Sequence, residues 1–526
     1  MTSLLTNHSC TASTFSTPTL FGAEILSVDT NLVTNYNFPV SADWRYTQPS
    51  VNVQNATFCN VTVTYTHPGL NDTINVETWL PVNDWNDRLY APGGSGWTAG
   101  RFILQYAAMA AAIQEGYATV TTDSGLGTPL SSEWTSLSQD WVVISPGNLN
   151  LVAFDDLGHV TLNDAATIAK DLIKSYYGHG PSYSYWNGCS QGGRQASILA
   201  QQYPTVYDGI IAAAPALYWA ELMTSSAWAA FYMDSTKQYP RACELTKLTS
   251  LAISACDELD GVKDGLIAET EECRKNFSAS DYIGTNFECA DTNTTMAISA
   301  AAAAVAESMW DGPRFSNGDF MWYGFEIGAD LASIAPTTCN RSGQQCVPTG
   351  REAFLQLYQG FILRDTSANI TEVSPEEFDY MFRTLKRIFS SSMAATDPNL
   401  ADFKNAGGKM MTFHGLADNA ITPASTLSYY KQVSHLDNTT SDFFRYYQVP
   451  GLEHCFGGAG GQPTSMFEQL RQWVENGTAP ESSPVMIKQS GNATRAEIIC
   501  PYPKKAVFEK NNCTSEDSSD KCWKCK

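Results

Sequence analysis

Ser190 stands in the run "WNGCSQGGR", residues 186–194, which contains the pattern G-x-S-x-G. A serine hydroxyl is a weak nucleophile unless a turn lifts it clear of the backbone and a base takes its proton. Gly188 and Gly192 permit such a turn, because a β-carbon at either would collide with the neighbouring strand or helix. The apolar "YSYWNG" precedes the serine and the helical "GGRQASILAQQYP" follows it. That strand-to-helix junction is the setting a nucleophile elbow requires. The start of the helix would also offer backbone N–H groups to developing negative charge. A glycine-rich turn with an incidental serine is the alternative.

Where such an elbow occurs, an acid and then a histidine follow the serine, each on a loop after a later strand. "KMMTFHGLADNAITP" offers Asp418 just past an apolar strand, and "YYQVPGLEHCFGG" offers His454 just past the next. Of the seven histidines, His8, His67, His159 and His179 precede the serine, and His435 ends a helix. His414 lies in the strand before the acid, where a structural role is expected. His454 is therefore the base by position. The N–H of Gln191 and that of a glycine in "APGGSGW", Gly94 or a near neighbour, would form the oxyanion hole. "GGAGG" after His454 lacks the strand, helix and later acid of a nucleotide loop and reads as a flexible turn.

Two cysteines sit against these candidates. Cys189 directly precedes Ser190, and Cys455 directly follows His454. If the serine and histidine are within hydrogen-bond reach, their neighbours can approach the Cβ separation of roughly 4 Å that a disulfide needs. A Cys189–Cys455 bond would staple the nucleophile's turn to the base's loop. Two separate cysteines with other partners are the alternative.

The elements that must position these residues follow a clear rhythm. "RLYAPGGSG", "YATVTTDSG", "YSYWNG" and "YDGIIAAAPAL" read as strands. "FILQYAAMAAAIQE", "AATIAKDLIKSYYG" and "GGRQASILAQQYP" read as helices between them. Strands alternating with helices of this length imply a mostly parallel sheet covered on both faces. The rhythm breaks after about Leu217, through an aromatic and cysteine-rich stretch that includes the alanine-rich helix "SAAAAAVAESMW". It resumes with "GGKMMTFHG", "PASTLSYYKQVSHL", "FFRYYQVPG" and "SMFEQLRQWVENG". The expected organisation is one α/β core, residues 1–217 and 400–526, with residues 218–399 inserted.

Composition narrows the setting. The chain has 526 residues and a formal net charge of −22, which disfavours nucleic acid and anionic membranes as partners. It has no apolar run long enough to span a bilayer. The start "MTSLLTNHSCTAST" lacks a basic region and a long apolar core, so a cytosolic protein and a mature secreted chain are both open. Fourteen cysteines, without paired C-x-x-C zinc spacing, and N-x-S/T sequons from Asn7 to Asn512 favour the second: a disulfide-bonded, N-glycosylated, extracellular protein.

"GCSQGG", "HGLAD" and "GLEHCFGG" closely resemble the tannase and feruloyl esterase family, and the likeness runs from "FCNVTVTYTHPG" to "CPYPKKAVF". The resemblance implies an α/β-hydrolase core with a lid domain inserted between serine and acid, and a disulfide joining the Cys-Ser and His-Cys pairs. It also bears on "ACDELDGVKDGLIAETEEC" in the insertion. There Asp257, Asp260 and Asp264, with the carbonyls of Val262 and Leu266, could form an oxygen cage suited to Ca²⁺. The spacing alone leaves a solvated acidic turn equally open; the family's lid carries a calcium site of this pattern, which favours a structural ion. Cys256 and Cys273 flank the loop and are expected to pair.

The family hydrolyses phenolic acid esters, feruloyl or coumaroyl groups on plant cell-wall sugars or gallate in tannins. The lid resembles fungal feruloyl esterases more than tannases, and its aromatic runs "MWYGFEIG" and "SMWDGPRF" could hold a phenolic ring or simply form core. A peptidase with the same three residues is one rival. A carbohydrate-binding protein that kept the fold without activity is another, and the intact serine, acid and base argue against it.

Overall fold

Ser190, Asp418 and His454 hang from one central sheet of nine strands in the computed structural model, which describes residues 9–127, 141–340, 346–488, 494–509 and 520–526. The sequons at Asn7, Asn492 and Asn512, and Cys513, lie outside the described residues. In chain order the strands are β1 (Glu24–Val40), β2 (Val51–Thr66), β3 (Ile74–Pro81), β4 (Arg88–Pro92), β5 (Ala118–Thr122), β6 (Tyr183–Cys189), β7 (Gly209–Ala213), β8 (Lys409–Gly415) and β9 (Phe444–Val449). Their order in space is β1-β2-β3-β5-β4-β6-β7-β8-β9. The first three pairings, through β3 and β5, are antiparallel. The other five are parallel. The mostly parallel sheet expected from the sequence is present, with a long antiparallel edge in addition.

The outermost strand of that edge has a physical reason to be antiparallel. β1 alternates half-buried and exposed positions and buries only Val40, so it tolerates water on one face as antiparallel strands do. The parallel strands are different: β7, "GIIAA", is buried throughout, and β6 and β8 are buried at all but their first residue. Strands buried on both faces need helices on both.

Five helices supply that cover. On one face pack α2 (Thr161–Tyr177), α3 (Gln191–Gln202) and α8 (Pro423–Leu436), through Leu172, Leu199 and Tyr429. On the other lie α1 (Ile103–Gln114) and α9 (Met466–Asn476), through Ala108, Phe467 and Trp473. Helices α2 and α9 both stop at a glycine in the left-handed region, Gly178 at φ 86° and Gly477 at φ 69°. A β-carbon is disfavoured there, so glycine ends the helix without strain.

Among the described residues, no strand of the sheet lies between β7 and β8. The intervening chain holds α4 (Trp219–Thr236), α5 (Ala242–Cys256), α6 (Ala300–Asp311) and α7 (Pro375–Phe389) around Phe231, Leu248, Met309 and Phe378. Helix α7 opens with a reciprocal cap, Ser374 with Glu377, and Pro375 in its first turn; it closes with Lys386 and Arg387. Both ends therefore match the helix dipole. Where the insertion leaves and rejoins the core, the Ala395 amide donates to the Leu217 carbonyl at 2.9 Å. Its two ends meet at a narrow neck.

Six disulfides are present among the described residues, Cys10–Cys59, Cys189–Cys455, Cys243–Cys289, Cys256–Cys273, Cys339–Cys346 and Cys500–Cys525. The described sequon asparagines are exposed apart from Asn60, whose side-chain amide donates to Glu77. Among the described residues no helix is long and apolar enough to cross a membrane.

Candidate active site

The turn at Ser190 is built from close backbone contacts. A β-carbon on Gly188 would lie 2.5 Å from the Gly192 backbone, and one on Gly93 would lie 2.5 Å from Gly192 Cα. Three glycines thus let β6, α3 and the loop after β4 meet at van der Waals distance. Ser190 itself has φ 62° and ψ −121°. That conformation costs a residue with a β-carbon about 1–3 kcal/mol, so the surroundings must hold it. They do: its amide donates to Ala213 O, and its carbonyl accepts from the amides of Arg194 and Ala216. The side chain is left half-buried at the sheet's C-terminal edge.

Gln191 opens α3, where an amide has no partner within the helix. Its side chain is fixed by Arg194, whose Nε donates to Gln191 Oε1 at 2.6 Å. Arg194 is fully buried and pairs with no carboxylate among the described residues. Its Nη atoms donate to the carbonyls of Gly158, Met393 and Leu157, and burial pulls its pKa down to about 9. The guanidinium ties the elbow helix to the π-helical segment Asp156–Val160 that leads into α2, and to the last segment of the insertion. Sequence reasoning missed this role; an arginine inside "GGRQASILA" on a buried helix was the available signal.

Gly94 does not serve as first expected. Its amide already donates to Gln195 Oε1 at 2.7 Å, so it has no free N–H to give an oxyanion. Its lack of a side chain serves packing instead, since a β-carbon would fall 2.2 Å from the Thr98 carbonyl. Among the expected pair, the Gln191 amide is the donor left at the turn.

Asp418 follows β8 and is fully buried. One oxygen, Oδ1, accepts from the amides of Ala420 and Ile421, each at 2.8 Å. The other, Oδ2, accepts from His454 Nδ1 at 2.7 Å and from His414 Nε2 at 3.1 Å. Burial opposes the charge, yet the two imidazoles hold the carboxyl well below the usual carboxylate range. His454 is partly exposed on the loop after β9. The acid and base loops are also joined through backbone: the Ala417 amide donates to Leu452 O, and the Leu416 amide to Val449 O. A β-carbon on Gly415 would lie 2.1 Å from Leu452 O, so only glycine lets these loops close together.

The Cys189–Cys455 disulfide spans 266 residues and sets its Cα atoms 5.9 Å apart. It joins the residue before the serine to the residue after the histidine. The structure thus brings Asp418 and His454 into direct contact and binds the turn of Ser190 to the loop of His454. A serine on a strained elbow, an imidazole with Nδ1 fixed on a buried carboxylate, and a free helix-start amide are the parts of acyl-transfer chemistry.

The acidic loop of the insertion is folded on itself. Asp257 Oδ1 accepts from the amides of Asp264 and Gly265, Asp260 Oδ1 from Val262, and Asp264 Oδ1 from Leu266. Asp264 Oδ2 pairs with Arg495 at 2.8 Å. Burial, with the neighbouring Glu497 and Asp260, pushes the Asp264 carboxyl up to about 7. Burial also raises Asp260, with Asp257 and Glu269 adding to the effect. A cavity of about 80 Å³ beside them is lined in part by Asp260, Asp264, Glu269 and Glu497. The donors are hard oxygens. Arg495 pairs with Asp264 and Glu497, and Lys505 pairs with Glu269. Asp257 and Asp260 take no salt bridge among the described residues, a surplus that fits a cation such as Ca²⁺ in charge and chemistry. Asp257, Asp260 and Asp264 are not among the described trios that converge within 4.8 Å, so the full cage is not drawn together. Cys256 and Cys273 close the loop as a disulfide.

Of the aromatic runs in the insertion, Trp310 is core and packs edge-on against Phe277. Trp322 and Tyr323 are half-buried, with Trp322 against Tyr218.

The family model described as tannase and feruloyl esterase matches residues 59–523. The chain belongs to the tannase and feruloyl esterase family. A probable feruloyl esterase of Arthroderma benhamiae is 32% identical over 97% of this chain and 93% of its own. A tannase of Aspergillus oryzae is 26% identical, over 89% and 86% of the two chains. Among solved structures, the tannin acyl hydrolase of Aspergillus niger superposes with a TM-score of 0.86 at 25% identity, covering 98% of this chain and 95% of its own. Membership in this family makes the protein a carboxylic ester hydrolase on an α/β-hydrolase fold.

Proposed function

We propose that the enzyme hydrolyses hydroxycinnamate esters, feruloyl, coumaroyl or caffeoyl, of plant cell-wall polysaccharides through an acyl-enzyme on Ser190. His454 takes the serine proton during attack on the ester carbonyl; Asp418 orients the ring and stabilises the imidazolium. The Gln191 amide receives the oxyanion charge. The alcohol departs with the proton from His454, and water, activated by the same base, then releases the acid. The observation that carries this reading is the Asp418–His454 contact at 2.7 Å, linked by disulfide to the turn of Ser190.

The feruloyl preference rests on the 32% identity to a relative named probable feruloyl esterase. Gallate esters are the second reading, favoured by the TM-score of 0.86 with a tannin acyl hydrolase. Parallel kcat/KM values for methyl ferulate, methyl caffeate and methyl gallate separate them. A value for gallate above both cinnamates would reverse the assignment.

The acidic loop, by the same proposal, takes a structural Ca²⁺ through Asp257, Asp260, Asp264 and the carbonyls of Val262 and Leu266. The disulfides and the exposed sequons support secretion with N-glycans.

A further inference from the structure

His414 is fully buried at the end of β8, and its ring is engaged at both nitrogens. Nε2 lies 3.1 Å from Asp418 Oδ2 and 3.0 Å from the Ile421 carbonyl. Both neighbours can only accept, so Nε2 carries the proton. Nδ1 lies 2.8 Å from Thr426 Oγ1. The threonine hydroxyl can donate to Nδ1 or accept from it, so it anchors the far side of the ring in either case. Asp418 Oδ2 therefore receives two imidazole N–H groups, one from His454 and one from His414, while Oδ1 receives two amides.

We propose that His414 is a positioning residue for the acid: a second imidazole that fixes the Asp418 carboxylate and shares its negative charge with the base. The proposal rests on the assignment of Asp418 and His454 above and adds a member to that relay. Two consequences follow from hydrogen-bond geometry and charge. Rotation of the carboxylate away from His454 breaks the bond to His414, so the base's ring is held in register. The negative charge on Oδ2 is divided between two donors, so removing one concentrates it on the bond to His454. Among the described residues, the other charged groups that act on this pair are Glu326 on the insertion, opposite His414, and Glu453 in the base loop, one residue before His454. Both are acids, and neither offers Asp418 a donor.

The test is the pH dependence of kcat and kcat/KM in the full-length protein for His414→Phe, His414→Asn and His414→Gln, with melting temperatures. Glutamine can place an N–H near Oδ2; asparagine is too short to do so. Phenylalanine and asparagine are expected to lower kcat by about ten- to a hundredfold with KM changed less than about twofold. In both, the acidic limb of kcat/KM should move to higher pH by about half a unit or more. Glutamine should restore the limb and most of kcat. Should the phenylalanine variant not fold, the asparagine and glutamine pair decides alone. Equal limbs and equal kcat in those two variants, or a wild-type profile in His414→Phe, overturn the proposal. Ser190→Ala is the control for the relay itself: turnover surviving that change overturns the triad reading, whatever the His414 variants do.

Discussion

Replacing both Cys189 and Cys455 with alanine separates the role of the bridge in stability from its role in catalysis. The bond closes a loop of 266 residues, in which the bridges Cys243–Cys289, Cys256–Cys273 and Cys339–Cys346 are nested. Loop closure of this length removes unfolded-chain entropy worth about 5 kcal/mol. The folded loops are not released entirely, because the Ala417 amide still bonds Leu452 O and the Leu416 amide still bonds Val449 O. Those bonds hold the acid loop to the base loop, but neither reaches the turn of Ser190. The double variant should thus keep the Asp418–His454 contact and lose the register between imidazole and hydroxyl. A displacement of about 1 Å there costs on the order of a hundredfold in kcat. The assay is kcat on methyl ferulate at 25 °C beside urea denaturation of the same preparation. Loss of both kcat and several kcal/mol of stability agrees with the reasoning. A variant that unfolds earlier yet turns over at the wild-type rate would refute the stapling argument and leave the bridge a purely structural bond.

Other perturbations read separate parts of the account. Asp418→Asn removes the charge that the imidazolium needs and should lower kcat by about 10³–10⁴-fold with little change in KM, measured by steady-state kinetics. Asp156 is buried, and burial followed by the charge of Asp72 pushes its carboxyl up to about 7. A folded pKa above the unfolded value means stability intact below about pH 4 and lost as the pH rises towards 7. Asp156→Asn should therefore gain on the wild type across that window, by on the order of 3–4 kcal/mol at its upper end; a melting-temperature difference that is flat with pH would contradict this. Removing Ca²⁺ with a chelator should lower the melting temperature and leave the Ser190 chemistry reparable by added calcium. No shift in melting temperature, and no calcium retained by elemental analysis after dialysis, would count against the acidic loop as its site.

Much of the core was legible because the parallel half of the sheet writes itself as apolar runs separated by helices. "GIIAA" and "KMMTFHG" have no polar side that could face water, so their placement inside a covered sheet follows from composition. The antiparallel edge was not anticipated, since "EILSVDTNLVTNYNFPV" alternates weakly and buries little. At the site, Ser190, Asp418 and His454 could be named because each follows an apolar strand in the order the fold demands. The engagement of the Gly94 amide is illegible for a long-range reason: its acceptor, Gln195, lies 101 residues away in the chain. In the sequence His414 has a structural role without its partners, and Arg194 has none, for a related reason. Their roles depend on full burial and on what each nitrogen meets, and neither quantity is local in sequence.

Whether Ser190 is the activated nucleophile is decided by a fluorophosphonate probe followed by mass spectrometry of the labelled peptides. One adduct is expected, on Ser190, formed in step with loss of esterase activity and slowed by orders of magnitude in His454→Ala. An adduct confined to another serine, with Ser190→Ala still hydrolysing ester, would contradict Ser190 as the nucleophile.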